Sequence, residues 1–142
     1  MYQKLVIVGY LGRDPEMRYT PNGVPVTNFS VATNVRWVDA NGQQQERTTW
    51  FRVTAWRRLA ETCSQYLSKG RLVLVEGRLT PDPQTGGPRI WTGNDGVARA
   101  SYEVTASNVQ FLGGAGREDM GGTATEIREA ASPELEEEDI PF

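Results

Sequence analysis

A chain of 142 residues with one cysteine and no histidine has room for one domain and a tail. It cannot close an internal disulfide, and it lacks the ligands of a structural zinc site. Its net charge of −3 averages two unlike parts: residues 1–117 hold 14 Lys/Arg against 9 Asp/Glu, and residues 118–142 hold one Arg against 9 Asp/Glu.

No apolar run approaches the roughly 20 residues of a membrane-crossing helix, and Met1-Tyr2-Gln3-Lys4 lacks the order of a signal peptide. A cytosolic protein is expected. In chain order, Tyr2 to Leu11 is dense in Leu, Val and Ile, which suits a strand apolar on both faces. Asp14-Pro15 and Pro21-Asn22-Gly23 mark turns. From Val26 to Trp37 the chain alternates, with Phe29, Val31, Val35 and Trp37 on one face and Asn28, Ser30, Asn34 and Arg36 on the other. Asn41-Gly42 closes a hairpin, and Thr48 to Trp56 returns as its partner strand. Arg58 to Leu67 is the one clear helix. Its Leu59, Cys63, Tyr66 and Leu67 form an apolar stripe, and Gly70 is placed to supply a left-handed cap. Arg71 to Leu79 and Arg99 to Leu112 are the fourth and fifth strands.

Between those last two strands, Thr80 to Ala98 runs 19 residues with four Gly and three Pro. That is long for a structureless loop, so a projecting hairpin or flap is expected. Three strands, one helix and two strands is the layout of an OB-fold: a mainly β, five-stranded barrel with its helix between the third and fourth strands. The expected organisation is a barrel over 1–112, a flexible Gly-rich linker over 113–132 and an acidic tip over 133–142. The linker and tip hold too little apolar surface to offset the entropy of ordering.

The pattern that carries chemistry lies on Thr48 to Trp56. Alternation puts Phe51, Val53 and Ala55 on a core face and Trp50, Arg52, Thr54 and Trp56 on the opposite one. Burying both faces would trap Arg52. An outward row of aromatic and cationic side chains is a stacking platform for unpaired bases with contacts to phosphate; the alternative is that the tryptophans pack beneath the long loop or a neighbouring subunit. Trp37 falls on the core face by simple alternation, unless a bulge near the strand's end re-aims it. Trp91, beside Arg89 and Ile90, either anchors the long loop or touches a ligand. Arg57 and Arg58 follow Trp56 directly, and Lys69, Arg71, Arg78 and Arg99 are scattered. A basic body with an acidic end suggests a nucleic-acid surface and an interaction tail. Pro133 to Phe142, PELEEEDIPF, ends in an apolar tripeptide that a solubilising tail leaves unexplained; such an end suits capture in a basic pocket with an apolar slot. The sequence has no histidine base, no P-loop and no nucleophile elbow, so a binding protein rather than an enzyme is expected, with no cofactor and no metal.

These residues resemble the bacterial single-stranded-DNA-binding protein family. Val8 to Gly23, VGYLGRDPEMRYTPNG, is similar to its opening signature; Thr49 to Glu61, TWFRVTAWRRLAE, to its third strand and helix start; and Asp139-Ile140-Pro141-Phe142 to its tip. The segment Thr80 to Ile90 is longer and richer in Pro and Gly than in familiar members, and the linker is shorter. The resemblance implies a homotetramer of OB-folds that wraps single-stranded DNA with little sequence preference, at the nucleoid. Replication, recombination and repair proteins would be recruited through the tip. Position by position it implies that Trp37, Trp50 and Trp91 stack on DNA. Trp56 would do so where the family often has phenylalanine, and Arg52, Arg58 and Lys69 would lie near the phosphate path. Glu138, Asp139, Ile140, Pro141 and Phe142 would dock partner proteins.

Overall fold

The computed structural model describes residues 1–113; the expected linker beyond Gly113 and the tip with Glu138 to Phe142 lie outside the described residues. The elements are β1 (Leu5–Leu11), β2 (Glu16–Tyr19), β3 (Pro25–Val38), β4 (Gln44–Trp56), α1 (Arg58–Tyr66), β5 (Leu72–Leu79), β6 (Ile90–Thr92), β7 (Ala98–Ala100) and β8 (Tyr102–Gly113). Strands are ordered β1-β5-β8-β4-β3, and β1 pairs back onto β3 at Tyr10 with Ala32 and Leu11 with Val31, which closes a five-stranded barrel. All contacts around it are antiparallel except β4 with β8, which run parallel from Phe51–Tyr102 to Thr54–Thr105. This is the expected OB-fold.

Closure depends on Gly9. A Cβ there would stand 2.2 Å from the carbonyl oxygen of Ala32, so only glycine lets β1 approach β3 this closely. The barrel interior is filled from its five strands by Ile7 and Leu11, Phe29 and Val31, Val53 and Ala55, Val73 and Val75, and Val104, Ala106 and Val109, the alternation on β8 being broken by a register shift after Ala106. α1 packs on the barrel through Ala60 and Cys63, and Leu67 just past its end joins them, all buried; the Thr27 hydroxyl donates to the carbonyl of Ala60 at 2.7 Å. Burial pushes the Cys63 thiol up to about 12, so it stays protonated and unreactive at neutral pH.

Several expectations are corrected. Residues 16–19, read only as lying among turns, form the edge strand β2 against β3. Its EMRY sequence has no apolar alternation, and only Met17 is half-buried. Tyr66, assigned to the buried stripe of the helix, is exposed and leans on Phe111 at 5.9 Å between ring centroids. The helix ends through an extended Leu67 rather than through Gly70; Gly70 has positive φ but turns the chain into β5. β1 carries apolar residues on both faces, as expected, but Val6 on its outer face is exposed. The last strand begins at Tyr102 rather than Arg99, because Ala98–Ala100 pairs with Ile90–Thr92 to make the projecting hairpin expected of the long segment. Among the described residues no helix is long and apolar enough to cross a membrane.

Candidate nucleic-acid interface

The β3–β4 hairpin is longer than the barrel that holds it. The two strands pair without a break from Val26–Trp56 to Val38–Gln44. Other strands join them only as far as Ala32 on β3 and between Phe51 and Thr54 on β4. Beyond that rung a two-stranded ribbon stands clear of the barrel. Asp39 closes its tip: the carboxylate accepts the backbone N–H groups of Asn41 and Gln43, each at 2.9 Å, and Gly42 takes positive φ. These bonds, that of Gln43 first, hold the Asp39 carboxyl below its ordinary range.

The outer face of β4 is as alternation places it. Trp50 is 52% and Trp56 44% exposed, while Val53 and Ala55 are sealed. Six residues separate the two indoles, about 20 Å along the strand, far enough apart to serve different bases. Between them Arg52 is exposed and makes no ion pair among the described residues. Across the ladder the same face presents Asn34, Ala32, Ser30 and Asn28 opposite Thr48, Trp50, Arg52 and Thr54. Two of these rungs are tied by side chains, Thr54 to Asn28 at 2.9 Å and Thr48 to Asn34 at 2.7 Å. Beside Arg52 a groove of about 170 Å³ opens, lined by Arg13, Asp14, Glu16, Asn28, Phe29, Ser30 and Arg52. The polar alternation of β3 pointed to Asn28 and Ser30; nothing in the sequence separated Arg13 from ordinary surface charge.

Arg58 begins α1, separated from the end of β4 by Arg57 alone, and it is exposed. Lys69 is brought in from the other end of the helix: its backbone N–H donates to Asp14 at 2.8 Å, on the loop that lines the groove. Trp50, Arg52 and Trp56 share the outer face of β4; Arg58 lies beside the Gly23–Pro25 turn, and Lys69 beside the Asp14 loop.

Trp37 is different. It lies on the core-face side of β3, as alternation says, and no bulge re-aims it. It is nevertheless 38% exposed, because at its level the ribbon has outrun the barrel and there is no core to face. The Arg47 guanidinium sits 5.0 Å from its ring centroid, a cation–π contact that keeps the indole braced. Trp37 and Trp50 thus occupy opposite faces of the ribbon, about 17 Å apart along it. Trp91 sits on β6, opposite Arg99 of β7 and apart from the barrel sheet, and it is 41% exposed. Arg99 is held by Asp95 across the turn, and Arg89 reaches Glu103 at 3.9 Å.

The chain matches the single-strand binding protein family model over residues 2–112. It is 47% identical over 123 residues to the single-stranded DNA-binding proteins of two Neisseria meningitidis strains, of serogroups A and B; the match covers 87% of this chain but only 66% of theirs. It is 43% identical over 122 residues to single-stranded DNA-binding protein 1 of Chlorobaculum tepidum, covering 85% of this chain and 70% of that one. A solved Plasmodium falciparum SSB in complex with single-stranded DNA superposes with a TM-score of 0.65 at 28% identity, over 79% of this chain and 96% of that one. The closed barrel, the outward tryptophans and a family match that runs through every described strand together show that the chain belongs to the single-strand binding protein family.

Proposed function

We propose that this chain binds single-stranded DNA with little sequence preference, stacking bases on Trp50 and Trp56, with Trp37 and Trp91 as further platforms. Arg52, Arg58 and Lys69 hold the phosphates. The observation that carries the reading is the outer face of β4, where two half-exposed indoles flank an arginine with no ion pair among the described residues. Buried surface would not leave two indoles half in water, and a phosphate-binding strip for duplex DNA would not need them. Family membership and the DNA in the Plasmodium complex support the same reading.

The finer parts of the proposal rest on the sequence. They are a homotetramer, a cytosolic, nucleoid-associated location, and recruitment of replication, recombination and repair proteins through Glu138, Asp139, Ile140, Pro141 and Phe142. No step of this function is catalytic.

Titration with oligo-dT while following tryptophan emission tests the DNA-binding part. Binding is expected to quench the emission, and log affinity is expected to fall linearly with log salt, by roughly 0.7 per phosphate neutralised. A quench-free titration or an affinity indifferent to salt would contradict it. Competition with oligo-U of equal length separates DNA from RNA as the preferred strand.

A further inference from the structure

We propose that Gly12 is a positioning residue for the Trp50 platform, a role that rests on the stacking reading of Trp50 given above. Gly12 lies in the loop between β1 and β2, thirty-eight positions before Trp50 in sequence. A Cβ on Gly12 would stand 2.5 Å from Cζ3 and 2.7 Å from Cη2 of the Trp50 indole, with Cε3 next at 3.8 Å. The two near atoms are neighbours on the outer rim of the six-membered ring. The loop therefore meets the ring at its edge, which fixes its tilt and leaves the flat faces for a base.

No backbone reason explains glycine at this position. The glycines with left-handed φ are Gly23, Gly42, Gly70, Gly86 and Gly96, so an alanine at residue 12 meets no conformational penalty of its own. Nor can the loop retreat from the ring easily. The Gly12 N–H donates to the Ser30 carbonyl at 3.2 Å, and Leu11 beside it is bonded on both sides, its N–H to Arg71 at 3.0 Å and its carbonyl to the Gly70 N–H at 2.9 Å. Contacts below 3 Å cannot stand, so a methyl group at residue 12 turns the indole instead. Trp50 is half-exposed, with solvent on the side away from the loop into which the ring can turn, so the fold tolerates the change and the platform does not. The same loop continues into Arg13 and Asp14, which line the groove beside Arg52; ring and groove are thus set by one short segment.

The experiment is a two-by-two comparison of full-length chains: parent, Gly12→Ala, Trp50→Ala and the double variant, each titrated with oligo-dT at fixed salt. Removing one stacked base contact costs roughly 5- to 150-fold in affinity. Gly12→Ala alone is expected to forfeit part of that, about 3- to 10-fold, while in the Trp50→Ala background it is expected to change nothing. The thermal midpoint of the double variant is expected to match or exceed that of Trp50→Ala, because alanine narrows the unfolded ensemble. A second readout follows the ring directly. In a chain where Trp37, Trp56 and Trp91 are phenylalanine, Gly12→Ala is expected to shift Trp50 emission to the red and to raise its quenching by acrylamide.

Parent-like binding by Gly12→Ala, or an equal loss in both backgrounds, would overturn the positioning role while leaving Trp50 as a platform. Unchanged emission and quenching would overturn it too. Parent-like binding by Trp50→Ala would overturn the stacking reading itself, and the functional half of this inference with it. If Gly12→Ala alone fails to fold, glycine is required for the fold itself and the positioning role is overturned.

Discussion

Arg57 is the one non-glycine residue with positive φ among the described residues, at φ 60 and ψ −126. That conformation suits glycine, yet here it turns the chain from β4 into α1. The backbone bonds on either side hold it in place: its N–H donates to Pro25 at 2.9 Å, and its carbonyl accepts from Glu61 at 3.2 Å. Such strain costs on the order of 1–3 kcal/mol, part of which glycine would lose again through the entropy of the unfolded chain. Arg57→Gly is expected to raise stability by about 1 kcal/mol, measured as a higher urea midpoint with an unchanged slope. A lower midpoint would mean that the arginine side chain holds the junction in a way its exposure does not suggest. Gly9 presents the opposite case. There the obstacle is the Ala32 carbonyl, a backbone atom that cannot step aside, so Gly9→Ala is expected to destabilise the barrel by roughly 1–3 kcal/mol or more.

At the scale of elements, the β3–β4 ribbon determines which side chains are available. Alternation assigned the faces of β4 correctly, because the period of a strand is two wherever it runs. The same rule put Trp37 on the core side of β3, and that too is where it lies. Period alone does not say where a strand leaves its barrel, and that is decided by β1 stopping at Ala32 and β8 beginning opposite Phe51. Trp37 is therefore exposed for a reason that belongs to topology. β2 escaped notice because an edge strand with one half-buried residue has no apolar rhythm to read. Gly12 escaped because its partner is thirty-eight residues away, and Arg13 because a groove exists only once β2, β3 and β4 are side by side. The ribbon's tip rests on Asp39. Its carboxyl is held down by hydrogen bonds to its charged form, so its contribution is present above the pKa of the unfolded chain and is lost as pH falls through the lower folded value. Asp39→Ala is expected to speed amide exchange at Asn41 and Gln43 at neutral pH, with no change in the core amides of Val53 and Val75. Unchanged exchange at the tip would show that Gly42 and the ladder alone hold the turn.

Across the described barrel, the carboxylates are mostly occupied. Glu76, Glu46, Glu103 and Asp95 pair with Lys4, Arg36, Arg89 and Arg99, and Asp14, Asp39 and Asp82 accept backbone N–H groups. Among the described residues Arg52, Arg57, Arg58 and Lys69 are left with no ion pair, and so are Arg13, Arg18, Arg47 and Arg78. Surface pairs of this kind add little to stability. The acidic end, rich in carboxylates from Glu134 to Asp139, is expected to compete with DNA for the unpaired positive charge. Deleting Asp139 to Phe142 is therefore expected to leave oligo-dT affinity unchanged or raised while abolishing capture of partner proteins. Loss of DNA binding on that deletion would mean the tail is part of the groove. The stacking role of the outer β4 face is measured most directly by oligo-dT titration of Trp50→Ala and Trp56→Ala at one fixed salt concentration. Each variant, with a far-ultraviolet spectrum like the parent's, is expected to bind roughly 5- to 150-fold more weakly; parent-like dissociation constants for both would contradict it.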